Sequence, residues 1–136
     1  MKKPNIMLLV FSLMSFVLAM TAFVFSGILD KVAVSLGISV ADSGLLNTMY
    51  SYGAAFGVPI TLILFRKVER SRMLKLMLFA TILTTFALIY AQNFVQLLIA
   101  RLLMGISANS YGVLAISTIL ALSPKDRQGR SLAFYI

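Results

Sequence analysis

Long uncharged apolar runs alternate along the chain with short clusters of charge. The first run, 6–29, carries no charged residue, and neither does the second, 44–65. The third, 73–91, is the plainest, and the fourth, 94–122, is interrupted by a single charge, Arg101. A helix rises about 1.5 Å per residue and the hydrocarbon core of a bilayer is about 30 Å thick, so about 20 apolar residues suffice to cross it. The pattern predicts an all-α integral membrane protein with four transmembrane helices in one domain, 1–136. A polar stretch at 123–130 follows, and the chain turns apolar again from about 129, which reads as the start of a fifth helix. A cleaved signal peptide would have an apolar core of only about 7–15 residues before a small-residue cleavage site. The first run is longer and has no such site.

Charge then orients the spans. The start is basic, with Lys2 and Lys3. The stretch 27–43 holds Asp30, Lys31 and Asp42, with Gly37 and Ser39 as breakers and no positive excess. The tight loop after the second run is strongly basic, with Arg66, Lys67, Glu69, Arg70, Arg72 and Lys75. The turn at 92–93 is uncharged, and the last polar loop carries Lys125, Asp126, Arg127 and Arg130. Lys and Arg near membrane ends resist translocation. This alternation predicts a multi-pass protein of the plasma (inner) membrane with a cytoplasmic N-terminus and a membrane hairpin about the basic loop.

Composition narrows the function. The chain is 60% hydrophobic with a mean hydropathy of +0.98, and 12% charged residues fall well below the roughly 25% of a typical soluble domain. A net charge of +8 suggests nucleic acid by itself. Its confinement to short loops argues for topology and against a nucleic-acid partner. There is no Cys or His and only four acidic residues, which removes disulfides, thiol chemistry, imidazole bases and the usual zinc sites. Neither an enzyme nor a cofactor or metal site is expected, and the lipid bilayer is the obligatory partner.

Within the spans, Arg101 is the most informative residue. A charge at the centre of a membrane helix costs about 2.5–3.5 kcal/mol on insertion scales and less toward the interface. It either snorkels to the headgroups or faces an internal cavity or helix partner. Arg101, Gly105, Ala108, Asn109 and Gly112 share one helical stripe by their spacing of three and four. That stripe reads as a packed or cavity-lining face. With no carboxylate inside a run, Asn47 and Tyr50 are the side chains expected to partner Arg101, beside backbone, a ligand or another segment. Asn47, Tyr50, Asn109 and Tyr111 fit either inter-helix hydrogen bonds or substrate contact. Gly53 and Gly57, four apart, allow another helix close approach, and Pro59 is expected to kink the second span. Asp42 or Ser43 is expected to cap that span. Phe16, Phe23 and Phe25 read as lipid-facing or packing residues. The basic loop is explained by topology, with an anionic-lipid site as the alternative.

The run GILDKVAVSLGISVADSGLLNTMYSYGAAFGVP (27–59) resembles the first loop and second helix of bacterial major facilitator superfamily transporters of the drug- and sugar-efflux type. Arg101-x-x-x-Gly105 is similar to the family's fourth-helix motif, and SPKDRQGR (123–130) to its loop entering the fifth helix. Lys67, Arg70 and Arg72 match basic positions of the signature between the second and third helices. Leu62, Arg66 and Glu69 depart from it, and Ala22 stands where the first helix often has an acid. The resemblance implies two six-helix halves with a site between them near the midplane, and efflux of a small molecule, drug or sugar-like, by alternating access and proton-coupled antiport. On it, Arg101, Gly105 and Asn109 line or support the cavity, while Lys67, Arg70 and Arg72 hold the cytoplasmic gate. The chain would be an N-terminal portion, an incomplete six-helix half that self-associates or needs further C-terminal helices. The alternatives are a four-helix remnant or interaction protein without transport, and a small multidrug-type dimer, which would need a membrane carboxylate that this chain lacks.

Overall fold

The computed structural model describes residues 3–135, with side chains described except at positions 1–5, 25, 29, 127 and 134–136. The expectations at Lys2, at the side chains of Lys3, Phe25 and Arg127, and at Ile136 lie outside the described residues. Every described element is helical: α1 (Lys3–Gly27), α2 (Leu29–Leu36), α3 (Val40–Tyr52), a π-helical turn (Gly53–Gly57), α4 (Val58–Leu64), α5 (Arg70–Tyr90), α6 (Phe94–Leu122), a 3₁₀ turn (Lys125–Arg127) and α7 (Gln128–Tyr135). Three helices are long and apolar enough to cross a membrane, and a fourth span arises if α2 and the rod Val40–Leu64 are taken together across their 113° bend.

The stretch 27–43, read from sequence as a loop, contains the short helix α2. Gly37 ends it in the left-handed region at φ 64°, where a side chain would be strained. Ile38 N–H closes the turn onto the Ala33 carbonyl at 3.0 Å. The second span then starts a turn earlier than 44. Its cap is Ser39, neither Asp42 nor Ser43: the Ser39 hydroxyl accepts from Asp42 N–H at 3.0 Å and donates to the Asp42 carboxylate at 2.6 Å. Ser43 is buried and donates back to the Val40 carbonyl at 2.7 Å, which removes it from capping.

Pro59 does not break the second span. The proline ring removes one donor and crowds the carbonyl four residues earlier. The π turn Gly53–Gly57 lies directly before it and widens the backbone where that crowding falls. The rod therefore continues through α4 to Leu64.

The 29-residue α6 is the hub. Half of it is buried, against almost none of α1. The antiparallel neighbour α5 covers one side of it, and α3 with the π turn covers another. Met73 and Met77 of α5 pack with Tyr111, Leu114, Ala115 and Ile119 of α6 and with Phe11 of α1. The outer surface is apolar, including Phe16 and Phe23 on α1, as a lipid-facing surface requires. The helix α7 packs on α1 and α6, and Gln128 donates to the Leu120 carbonyl at 3.1 Å.

Two glycines set the distance between α3 and α6. A Cβ at Gly53 would run into the Leu102 carbonyl oxygen, and one at Gly105 into the Tyr50 carbonyl oxygen. Backbone cannot move aside as a side chain can. Gly57 faces the flexible Ile106 side chain, and nothing lies near Gly44. Gly53→Ala and Gly105→Ala should each cost about 1–3 kcal/mol, as overpacking does. Gly57→Ala should cost less, and Gly44→Ala nothing. The midpoint of thermal unfolding of the purified protein in detergent checks this order. An unchanged midpoint for both Gly53→Ala and Gly105→Ala would refute the close approach.

Candidate functional site

Arg101 has no solvent-exposed surface. It lies in the seam between α6 and α3, whose two helices run in the same direction. Its Nη2 donates to Asn47 Oδ1 at 2.8 Å and its Nε to the Leu46 carbonyl at 3.4 Å. Its guanidinium carbon sits 4.9 Å from the centre of the Tyr50 ring, within cation–π range. Asn47 uses its other end as well, donating to Ser26 Oγ at 3.0 Å. A polar chain thus runs from α6 through α3 to the end of α1. Arg101, Asn47 and Tyr50 are brought together as helix partners. Arg101 does not line the mid-span cleft described next.

The open space lies beside this seam. A cleft of about 390 Å³ is walled by Ser15, Leu18, Ala19 and Ala22 of α1, by Tyr50 of α3, and by Ala108, Asn109, Gly112, Val113 and Ile116 of α6. Ser15 and Asn109 fall at the midpoints of their helices, so the cleft is near mid-span. Tyr50 stands between Arg101 and this space, one residue touching both. Asn109 spends an amide hydrogen on the Gly105 carbonyl of its own helix at 2.8 Å, and the rest of its carboxamide serves the cleft. Gly105 is a packing residue against Tyr50, whereas Gly112, read from sequence as a packing glycine, lines the cleft.

The wall from α1 was missed in the sequence. Ser15, Ala19 and Ala22 recur at four and three, a stripe of small residues on one helical face, but the surrounding Leu, Phe and Met residues conceal it. No residue lining the cleft is ionisable except the Tyr50 phenol. Among the described residues no cluster of acidic side chains suits a metal.

The three loop candidates separate. Arg70 donates to the Ser117 carbonyl of α6 at 3.2 Å, tying the start of α5 to the far part of α6. Arg72 pairs with Glu69 at 3.5 Å with both side chains largely exposed, a geometry worth little. Lys67 lies exposed in the turn.

The bond between Arg101 and Asn47 can be weighed directly. A double-mutant cycle of Arg101→Met and Asn47→Leu should give a coupling of about 1–2 kcal/mol, above the average for neutral inter-helix bonds in membranes because one partner is charged. The readout is unfolding free energy in mixed micelles. A coupling near zero would mean that other groups hold Arg101.

Comparison with known proteins agrees with this architecture. The family model of the Major Facilitator Superfamily matches residues 11–136. The chain is 28% identical over 127 residues to the uncharacterized MFS-type transporter YbcL of Bacillus subtilis, covering 91% of this chain and 32% of that protein. It is 28% identical over 123 residues to a probable sugar efflux transporter of Helicobacter pylori strain P12, covering 90% of this chain and 32% of the relative. A probable sugar efflux transporter of Pasteurella multocida is 25% identical over 122 residues, with 90% and 30% covered. No solved structure matches. The chain spans about a third of the length of these relatives. With a helical, lipid-facing architecture and a family match over nearly the whole chain, this protein belongs to the Major Facilitator Superfamily.

Proposed function

We propose that the chain forms part of an efflux transporter for a small, neutral, hydroxyl-rich molecule, acting by alternating access. The observation that carries the reading is the mid-span cleft between α1, α3 and α6. Its volume of about 390 Å³ lies at the small end of ligand pockets, which run from about 300 to 1,000 Å³. Its polar groups, the Asn109 carboxamide, the Ser15 hydroxyl and the Tyr50 ring, are neutral donors, acceptors and an apolar face. Such a set suits hydroxyl groups on a carbon ring better than a cation, which would call for a carboxylate. Relatives named as probable sugar efflux transporters support the same substrate class.

On this reading Arg101 is a positioning residue. It fixes Tyr50 at the cleft edge and ties α3 to α6. Arg70 holds the cytoplasmic end of the hairpin through the Ser117 carbonyl, with Lys67 and Arg72 at the loop surface. Exchange against protons is proposed on the family resemblance alone. A carboxylate for it would come from outside the residues lining this cleft. The orientation with the N-terminus in the cytoplasm of the plasma membrane follows the loop charges.

Two experiments test these proposals. The chain has no cysteine, so single cysteines report topology without interference. Gln92→Cys should react with a membrane-impermeant maleimide in intact cells and Lys67→Cys only after permeabilisation, and the reverse pattern would overturn the orientation. For transport, Gly112→Leu fills the cleft from α6. It should reduce export of a radiolabelled sugar at least tenfold from cells producing the protein, at an unchanged level in the membrane. Unaltered export would remove the cleft from the transport path.

A further inference from the structure

A second cleft lies farther along the same face of α1, at the end of the molecule that carries the basic loop. It is an open cleft of about 570 Å³ between α1, α5 and α6. Its interior is apolar: Phe11 from α1, Leu74 and Leu78 from α5, and Tyr111 and Leu122 from α6 contribute to its walls. The one hydroxyl-bearing aliphatic side chain along the α6 wall, Thr118, spends its hydroxyl on the Leu114 carbonyl of its own helix at 2.7 Å, so it adds no polar demand. At the loop end the lining changes character to Glu69, Arg70, Ser71 and Lys75. Glu69 is engaged by Arg72, which leaves the basic groups of Arg70 and Lys75 dominant at the mouth.

We propose that this cleft holds one anionic phospholipid from the leaflet facing the basic loop. Its phosphate sits at Lys75, Arg70 and the Ser71 hydroxyl, and one acyl chain lies along α6 toward Tyr111. Length supports a lipid over a soluble anion. From Leu122 to Tyr111 is eleven residues, about 16 Å of helix, against about 15 Å for one leaflet of a 30 Å hydrocarbon core. A free phosphate would have no use for an apolar channel of that depth. Charge supports an anionic headgroup over a neutral one, because the neighbouring loop adds Arg66 and Lys67 to Arg70 and Lys75. The guanidinium of Arg70, already directed to the Ser117 carbonyl at 3.2 Å, is held at the mouth with further donors to offer. The bound lipid would bridge α1 and the α5–α6 pair beside the Phe11 contact. This site stands independently of the substrate cleft and of the transport reading.

Native mass spectrometry of the full chain, released from detergent with added phosphatidylglycerol or phosphatidylcholine, tests the assignment. One phosphatidylglycerol should be retained, and phosphatidylcholine should be retained at least tenfold more weakly. Each basic group near a membrane surface is worth about fivefold in binding. Lys75→Gln should therefore weaken phosphatidylglycerol retention about fivefold, and Lys75→Gln with Arg70→Gln about twenty-fivefold, while Lys125→Gln, outside the cleft, leaves it unchanged. Leu78→Trp, which obstructs the channel and keeps the charges, should also abolish retention. Equal retention of both lipids by the unaltered chain overturns the proposal and needs no variant that folds. Retention unaffected by Leu78→Trp also overturns it, by showing attraction to the basic loop alone. A homodimer free of lipid would assign the cleft to a second copy of the chain instead.

Discussion

A guanidinium with no exposed surface, placed in a membrane helix, must find its hydrogen-bond acceptors from protein. Arg101 finds them on α3, in the Asn47 carboxamide, the Leu46 carbonyl and the Tyr50 ring. An unpaired charge there would carry the full cost of desolvation. That requirement fixes the rotation of α6 about its axis and its register against α3. Once α6 is so placed, Gly105 meets the Tyr50 backbone and Gly53 meets the Leu102 carbonyl. The two helices can approach only because neither glycine carries a Cβ.

The faces of α6 then divide the work. One face is consumed by α3 and the π turn, and another by α5 through Met73, Met77, Leu114 and Ala115. Both clefts described above are walled in part by α1. The mid-span cleft is lined by small and neutral polar residues, Ala19, Ala22, Asn109 and Gly112. The cleft at the basic loop is lined by large apolar residues beneath a cationic mouth. Seams fixed by polar bonds and glycines thus sit next to two open clefts.

The departures from the sequence reading have local causes. Stretch 27–43 is polar enough to read as a loop, yet Ala33 packs against α3 and is buried, so a short helix forms there and Gly37 ends it. Asp42 and Ser43 carry capping side chains, but Ser39 takes that role because its own backbone is extended and its hydroxyl reaches the Asp42 N–H. The π turn before Pro59 relieves the crowding of its ring and keeps the span continuous, which no single-residue propensity encodes.

The sequence by itself determined the all-helical membrane architecture and the family, because apolar length and the motifs around Arg101 and 27–59 are local properties of the chain. It also singled out Arg101, Asn47, Tyr50 and Asn109, since polar groups in an apolar run have few alternatives to one another. Only the tertiary structure decided which of these share a seam and which face open space. Arg101 went to the α3 seam, Asn109 and Gly112 to the cleft, and Ser15, Ala19 and Ala22 of α1 emerged as its opposite wall. The physical reason is that membrane helices are apolar on nearly every side. Their periodicity therefore says little about which face meets a neighbour, and close approach and hydrogen bonding between distant segments make that choice.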